Sequence, residues 1–200
     1  MTERKYCNRL IEVDLPIKRI SEHARREKSI RHGHISTLHI WWARRPLAAC
    51  RAVICASLWP DPADALCPSA FREKVKELML QWTIYERQVL LSAESRPRFE
   101  SARKNSRIFD DVFELRKALL DFIADFSNWD NSTVKEYLET SRALTQTAHE
   151  TLGGVPGSRP LVVDPFAGGG SIPLEALRVG ADAFASDLNT VACLILKVML

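Results

Sequence analysis

Hydrophobic positions in the middle of the chain recur at the spacing of a helix face. Apolar residues lie three or four positions apart over 71–91 and again over 108–126, which predicts two amphipathic helices. Thr133 and Glu136 have the spacing of a capping box and predict the start of a third helix. We therefore predict an all-helical insert over 61–157 that serves as packing or spacer material.

Two short apolar runs near the end of the sequence predict β-strands. The first covers 161–163 and ends at Asp164, and the second covers 183–186 and ends at Asp187. Between them Ser171 is predicted as the N-cap of a short helix that ends at Gly180, after Arg178, so that the order is strand, crossover helix, strand. We predict an α/β fold in which two parallel strands and their crossover helix begin a Rossmann-like sheet, preceded by a mainly helical amino-terminal region.

The turn after the first predicted strand is rich in glycine. Gly168, Gly169 and Gly170 allow the backbone to approach a bound nucleotide-like ligand closely. Asp187, about 20 residues further along, can accept hydrogen bonds from ribose hydroxyls. Together these features predict a site for an adenosine-type cofactor.

Two other nucleotide sites fit this turn less well. A phosphate-binding P-loop needs a lysine after its last glycine, whereas Gly170 is followed by Ser171 and Ile172. The dinucleotide fingerprint fits at Gly168 and Gly170, but Pro173 occupies the position of its third glycine. A turn that binds no ligand is a further alternative, which the acids before and after the loop disfavour.

The sequence Asp-Pro-Phe-Ala-Gly-Gly-Gly at 164–170 resembles motif I of the amino-methylating DNA methyltransferases, which holds S-adenosylmethionine. The resemblance implies that Asp164 and the loop amides contact the methionyl part of the cofactor, Phe166 the adenine and Asp187 the ribose. The cofactor-binding residues that it implies around the loop are Asp164, Pro165, Phe166, Ala167, Gly168, Gly170 and Asp187.

A second motif lies upstream, where adjacent tryptophans precede two arginines and a proline. The segment 36–46, Ser-Thr-Leu-His-Ile-Trp-Trp-Ala-Arg-Arg-Pro, resembles motif X of adenine-specific DNA methyltransferases, with Trp-Trp in place of Tyr-Pro. The resemblance implies that this segment, including Thr37 and His39, closes over the methionine end of the cofactor. Arg44 and Arg45 are predicted to bind DNA phosphates or the cofactor carboxylate, and a role as salt-bridge partners is the alternative.

Three segments together resemble the DUF1156 family, namely 26–39, 41–48 and 164–176. Members of that family are large bacterial and archaeal proteins regarded as adenine-specific DNA methylases with a zinc ribbon. The resemblance implies methylation of adenine N6 in DNA, with S-adenosylmethionine as the cofactor. Thr190 stands where proline is expected in that family and is a departure from it.

Composition narrows the class of protein. The chain has 200 residues, of which 46% are hydrophobic and 26% charged, as in folded water-soluble domains. No apolar run approaches the roughly 18 residues of a membrane span, and the start of the sequence has no signal-peptide core. We therefore predict a cytoplasmic protein without a membrane partner. Its five cysteines form no C-x-x-C pair, so that no metal site is predicted from this chain.

Positive charge is concentrated at the start of the sequence. Residues 1–60 hold twelve Lys and Arg against five Asp and Glu, although the net charge of the whole chain is only +3. Such a basic segment is typical of proteins that bind DNA or another polyanion. The alternative is a solvated face whose charges pair with acids elsewhere in the protein. A second basic stretch, 96–107, is interpreted as a link between two predicted helices.

The catalytic motif of amino methyltransferases, Asp/Asn/Ser-Pro-Pro-aromatic, does not occur, because the sequence contains no Pro-Pro pair. That motif holds the target amine and stacks on a base removed from the duplex. We therefore predict the amino-terminal portion of a methyltransferase, with a basic region over 1–60, the insert over 61–157 and an incomplete cofactor-binding unit over 158–200. The isolated chain is predicted to be inactive and to need a downstream or separate catalytic half.

Two alternatives to this function stay open. One is a non-enzymatic module that binds DNA or a partner subunit through the basic region. The other is a methyltransferase that acts on RNA or on cytosine N4, because these enzymes share the same cofactor motif.

Overall fold

The computed structural model of the protein describes residues 6–29, 41 and 44–200. Their secondary structure is mostly helical, with one small parallel sheet. In chain order the helices and strands are α1 (Leu10–Val13), α2 (Ile17–Ser29), α3 (Leu47–Leu58), α4 (Ser69–Gln81), α5 (Tyr85–Gln88), α6 (Arg96–Lys104), α7 (Val112–Ser127), α8 (Lys135–Thr151), β1 (Leu161–Asp164), α9 (Ser171–Arg178), β2 (Asp182–Ala185) and α10 (Thr190–Met199). None of these helices is long and apolar enough to cross a membrane.

Helix α3 is enclosed by other helices. Its sequence is apolar on nearly every face, and a helix of that kind is stable only when it is surrounded. It contacts α2, α7, α8 and α9. It begins after Pro46 and ends before Trp59, so that the apolar run that follows the two arginines forms one buried helix. Its single charged residue, Arg51, is buried as well.

The stretch 71–91, predicted as one helix, is divided. Helix α4 ends at Gln81, and the short α5 begins after a turn. Trp82 is fully buried in that turn, and its indole N–H donates to Thr140 Oγ1 at 3.2 Å. The Thr83 hydroxyl donates to the carbonyl of Leu80 at 2.7 Å. The apolar pattern continues past this point, but the side-chain hydrogen bonds close the helix there.

The basic stretch 96–107, interpreted as a link, forms α6 over most of its length. Pro97 lies in the first turn of α6, where its missing N–H breaks no helical hydrogen bond. Phe99 and Ala102, three residues apart, are buried and fix the helix to the core. Two apolar positions among so many charges are too few to indicate an amphipathic helix in the sequence.

Helix α7 begins later than predicted. A short 3-10 helix, Ser106–Asp110, occupies the start of the predicted stretch 108–126. Asp111 then turns the chain, and its carboxylate accepts a hydrogen bond from the backbone N–H of Phe113 at 2.8 Å. This aspartate is an N-cap, which divides the apolar pattern into two elements.

The capping box predicted at Thr133 and Glu136 is wrong. Helix α8 begins one residue later, after Val134, which has an extended backbone, and no side chain caps the helix. A capping hydroxyl must belong to the residue that directly precedes the helix. Thr133 is therefore one position too early to act as the cap.

Aromatic rings form the centre of the hydrophobic core. Phe122 lies between Trp59, Trp82, Phe126 and Tyr137, with ring centroids 5.3 to 6.2 Å from its own. Tilted and edge-on arrangements at these separations are favourable for aromatic pairs. The same core continues through α3 to buried side chains of α9. The three segments predicted from the sequence therefore pack around one core.

Strands β1 and β2 form a parallel ladder. Leu161 lies opposite Asp182, and Asp164 lies opposite Ala185. Helix α9 connects the strands and packs on both of them and on α3. This confirms the two parallel strands and their crossover helix. The described residues thus form a mixed α/β structure that is mostly helical, and a larger Rossmann-like sheet remains a prediction.

Candidate functional site

The glycine loop joins the end of β1 to the start of α9. Gly168 and Gly170 have φ angles of +50° and +75°, which side-chain-bearing residues rarely adopt. Gly170 directly precedes the first residue of α9, Ser171, and is its N-cap, so that the helix begins one residue earlier than the predicted cap at Ser171 implies. The loop amides consequently lie at the carboxyl end of the parallel sheet, the edge at which α/β folds bind ligands.

Trp41 packs directly against this loop. A Cβ atom on Gly168 would lie 2.7 Å from Trp41 Nε1, and one on Gly169 would lie 2.9 Å from Trp41 Cβ. No real side chain fits at such distances, so the absence of side chains at both positions is what admits the indole. The upstream motif and the glycine loop, 127 positions apart when counted from Trp41 to Gly168, are therefore in contact.

Asp187 lies just after β2 and is hydrogen-bonded to the loop. Its Oδ1 accepts from the backbone N–H of Asn189 at 2.8 Å, and its Oδ2 accepts from that of Gly168 at 2.8 Å. These two hydrogen bonds, the one from Asn189 first, lower the pKa of the Asp187 carboxyl. Asp187 is therefore ionised at neutral pH and joins the loop to the end of the second strand.

Asp164 ends β1 and forms the inner wall of the site. It is 93% buried, and its Oδ1 accepts from the backbone N–H of Phe166 at 3.2 Å. Among residues 6–29, 41 and 44–200, no donor reaches its other oxygen, Oδ2, which is also buried. A buried carboxylate oxygen without a donor is costly, so that a donor on a ligand would stabilise this site.

These groups surround one cavity of about 330 Å³. Its size falls in the range of small-molecule sites in proteins. Its charged side chains are two aspartates and two arginines, so that both signs of charge are present. The residues that line it are Trp41, Arg44, Arg45, Asp164, Phe166, Ala167, Gly168, Gly169, Ser171, Ile172, Asp187 and Asn189.

The two arginines of the cavity have different surroundings. Arg44 Nη2 lies 3.6 Å from Oε1 of Glu27, which is almost completely buried. The two oxygens of Glu27 also accept from the backbone N–H groups of Leu47 and Ala48 at 3.0 Å each, which caps α3. The salt-bridge alternative therefore holds for Arg44. Arg45 is exposed at the cavity wall.

The remaining residues of the predicted site differ in their exposure, and two of them are not described by the structure. Thr37 and His39 lie outside the described residues. Ala167 is buried, Pro165 is exposed, and the ring of Phe166 is 71% exposed at the rim of the cavity. An aromatic ring left open at a cavity rim is available to pack on a flat ligand.

A buried ion pair fixes the loop helix to α3 and was not predicted from the sequence. Arg51 Nε donates to Glu175 Oε2 at 2.6 Å, and both residues are at least 99% buried. Arg51 Nη1 also donates to the carbonyl of Phe126, and Arg178 Nε donates to Glu175 Oε1 at 3.1 Å. The lone arginine in the apolar run before Trp59 was the sequence feature that could have indicated this ion pair, because buried charges are almost always paired.

Some of the arginines in the first 60 residues pair with acids further along the chain. Arg19 pairs with Asp121 and Asp125, and Arg26 pairs with Asp130. Arg51 pairs with Glu175, as described above. For these arginines the structure favours internal acid partners over a surface for a polyanion.

Buried cysteines act as packing groups. Cys50 and Cys55 of α3 are buried, and so is Cys67. Burial raises the pKa of the Cys50 thiol to about 12 and that of Cys67 to about 12. Within the described ranges, no three His, Cys, Asp or Glu side chains form a group that could hold a metal ion.

Comparison with known protein families gives a match to part of the chain. Residues 14–80 match DUF1156, described as a protein of unknown function, which confirms the resemblance to that family. The matched region contains Glu27, Arg44 and Arg45, whereas the glycine loop lies outside it. No curated protein and no solved structure matches the chain.

Proposed function

We propose that this chain, which carries a DUF1156 region over residues 14–80, binds S-adenosylmethionine in the cavity at the carboxyl ends of β1 and β2. One observation carries the proposal: Asp164 and Asp187, which follow adjacent parallel strands, line one cavity together with the glycine loop. Nucleotide-like ligands bind at this edge of open α/β sheets. By family resemblance the proposal extends to methylation of adenine N6 in DNA.

The polar groups of the cavity suit an amino acid joined to a nucleoside. Asp164 Oδ2 offers an acceptor to an ammonium group. Each oxygen of Asp187 accepts one backbone N–H and retains a second lone pair, which a ribose hydroxyl can use. The exposed ring of Phe166 is positioned to pack on adenine. The bound cofactor would supply an electrophilic methyl group on a sulfonium for transfer to an amine.

Arg45 is the cation best placed for an anionic group of the ligand. It is exposed and lines the cavity, whereas Arg44 is engaged by the buried carboxylate of Glu27. A guanidinium can bind a carboxylate through two parallel hydrogen bonds. We assign the cofactor carboxylate to Arg45 as its first partner, with a DNA phosphate as the second candidate.

The chain is proposed to supply cofactor binding and not the whole reaction. Its 200 residues contain no Pro-Pro pair, so the motif that holds the target amine must come from another segment or subunit. We expect the isolated chain to bind S-adenosylmethionine and to transfer no methyl group. A methylated DNA product formed by the purified chain alone would contradict this part of the proposal.

Calorimetric titration of S-adenosylmethionine into the purified chain tests the binding site. We expect saturable binding that Asp164→Asn and Asp187→Asn each weaken by about tenfold or more, because each substitution removes a charged acceptor. The matched control is Asp182→Asn, at the exposed start of β2, where the carboxylate makes only a 3.9 Å contact with Arg159. That variant is expected to bind as the unaltered chain does.

Two results would contradict the proposal. One is a folded chain, shown by its far-ultraviolet circular dichroism, that does not bind the cofactor. The other is binding that both site variants leave unchanged. In the first case a non-enzymatic module becomes the better description, and the basic region over 1–60 would then be tested for DNA binding.

A further inference from the structure

A second pocket lies at the opposite end of β1 from the proposed cofactor cavity. Asp164 ends the strand on the cofactor side, whereas Pro160 precedes the strand and lines the second pocket. This pocket is open to the surface and has a volume of about 300 Å³. Its walls are Arg9, Ser57, Leu58, Thr145, His149, Leu152, Gly153, Gly154 and Pro160.

The lining of this pocket carries a permanent cation, Arg9, and no carboxylate. Its polar side chains are one guanidinium, one imidazole and the hydroxyls of Ser57 and Thr145. Two acids, Glu12 and Glu150, lie nearby in the sequence without lining the pocket, and each carboxylate has a partner of its own. Glu12 accepts from the backbone N–H of Arg9 at 2.8 Å, and Glu150 accepts from Gln146 Nε2 at 2.6 Å. The chemistry of the pocket is therefore that of an anion site, in contrast to the mixed charges around Asp164.

Arg9 is held in this position by its backbone. It forms an isolated antiparallel bridge with Pro60, and the neighbouring N–H of Leu10 donates to the carbonyl of Trp59 at 3.1 Å. Its Nη1 atom is buried, and within the described part of the chain no acceptor reaches it. A buried donor on a charged group that lacks an acceptor is costly, and an oxyanion beside the part of the Arg9 side chain that lines the pocket would balance the charge.

His149 is fixed on the other wall of the pocket. Its Nε2 lies 2.9 Å from Ser158 Oγ, which holds the ring against the turn that follows α8. Gly154 makes this possible, since a Cβ atom there would lie 2.4 Å from the ring. A Cβ atom on the neighbouring Gly153, in contrast, would meet nothing within 4 Å. The wall of the pocket is therefore open at Gly153.

We propose that this pocket binds a small oxyanion, a phosphate or a carboxylate, between Arg9 and His149. The site is separate from the proposed cofactor cavity and does not depend on it. An oxyanion there would lie among segments that are distant in sequence: the chain before α1, the last turn of α3 and the end of α8.

The test uses the whole chain in a buffer free of phosphate and carboxylates. Inorganic phosphate and acetate are titrated separately at constant ionic strength, and amide chemical shifts are followed by nuclear magnetic resonance. Saturable shifts around residues 9 and 149–154 are expected, with phosphate and acetate distinguishing the two kinds of oxyanion. Arg9→Gln is expected to weaken binding by about tenfold or more, because a charge-assisted hydrogen bond is lost.

Arg159→Gln is the matched control, since Arg159 is 59% exposed in its side chain, lies close to the pocket in sequence and does not line it. His149→Gln is the second variant, to be used if Arg9→Gln does not fold, and the same weakening is expected of it. The proposal is overturned if neither anion gives saturable shifts, or if the control weakens binding as much as the pocket variants. S-adenosylmethionine titration of the same variants is expected to be unchanged.

Discussion

The helical region, residues 6–151, and the strand unit, residues 158–200, bury their apolar side chains to different extents. In the helical region the large rings of Trp59, Trp82 and Phe122 are completely buried. In the strand unit, Val163 and Phe184 are each 56% exposed, on the face of the sheet that points away from the core. Burial of apolar surface is the main favourable term in folding, so that most of the stability must come from the helical region.

The strand unit, in contrast, carries most of the proposed cofactor site. Asp164, Asp187 and the glycine loop belong to it and line the cavity, and Asp187 is hydrogen-bonded to the loop through the backbone N–H of Gly168. The helical region supplies the other wall through Trp41 and the two arginines that precede α3. The comparison indicates that the helical region provides a stable support and that the strand unit carries most of the proposed cofactor site. Four experiments test this division.

The largest effect is expected at the ion pair that joins the two regions. Arg51→Met leaves Glu175 buried with only Arg178 as a charged partner and leaves the carbonyl of Phe126 without this donor. Breaking one side of a buried pair costs about 3–5 kcal/mol. Urea unfolding should show a loss of that size, and adding Glu175→Met to Arg51→Met should restore part of it.

Arg26→Met is the control for this experiment. Arg26 pairs with Asp130 on the surface, where both side chains are more than half exposed. Exposed pairs contribute about 0–1 kcal/mol. Equal losses of stability in Arg26→Met and Arg51→Met would show that the buried pair does not hold the two regions together.

The next effect concerns the contact between the glycine loop and Trp41. Gly168→Ala combines an unfavourable φ of +50° with a methyl group 2.7 Å from the indole nitrogen. The conformational part alone costs about 1–2 kcal/mol. We expect about 1–3 kcal/mol in total by urea unfolding, together with a weaker titration of S-adenosylmethionine.

Gly157→Ala separates the two contributions. Gly157 also has a positive φ, +78°, but a methyl group there would meet nothing within 4 Å. It should therefore show the conformational cost without the clash, and its cofactor titration should be unchanged. If both variants lose the same stability and both bind the cofactor normally, Trp41 does not restrain the loop.

The two faces of the sheet provide a third and smaller test. Val162 and Ala183 pack against the core, whereas Phe184 on the other face is mostly exposed. Phe184→Ser is expected to change the free energy of unfolding by less than about 1 kcal/mol. Val162→Ser should cost more than this, because it places a hydroxyl against the core. The reverse order in urea unfolding would mean that the outer face is covered in solution.

The parts of the molecule that could be predicted from the sequence are those encoded in short contiguous stretches. The strand, glycine loop and helix around Asp164 lie within one run of about 20 residues. Each of these three elements is indicated by the residue types of its own stretch. Helix α3 was predictable for the same reason, since its apolar run is bounded by Pro46 and Trp59.

Other features depend on residues that are far apart and leave no local signal. Arg51 and Glu175 are separated by 124 positions, and only packing of α3 on α9 brings them together. The break before α7 was missed for a different reason. Asp111 is one of several acids in that stretch, and the sequence does not show which acid turns the chain and which is solvated. The position of Trp41 on the loop likewise requires tertiary structure.

The smallest expected effect is a difference in pKa between Asp187 of the strand unit and Asp125 of the helical region. Hydrogen bonds from Asn189 and Gly168 lower the pKa of Asp187, whereas burial raises the pKa of Asp125. An aspartate in an unfolded chain titrates near about 3.9. Carbon-13 titration of the carboxyl groups should therefore place Asp187 below that value and Asp125 above it.

The sign of the stability effect follows from the direction of each shift. Because the pKa of Asp187 is lowered on folding, its contribution to stability is present above about pH 4 and is lost as the pH falls through the folded value. The stability difference between the chain and Asp187→Asn should therefore be constant near neutral pH and shrink in acid. Asp125, whose pKa is raised, should show the opposite trend, since folding favours its protonated form. A difference for Asp187→Asn that stays constant into acid would mean that the carboxylate is not bound to the loop, and the glycine loop would then lack the connection to β2 on which the cofactor site depends.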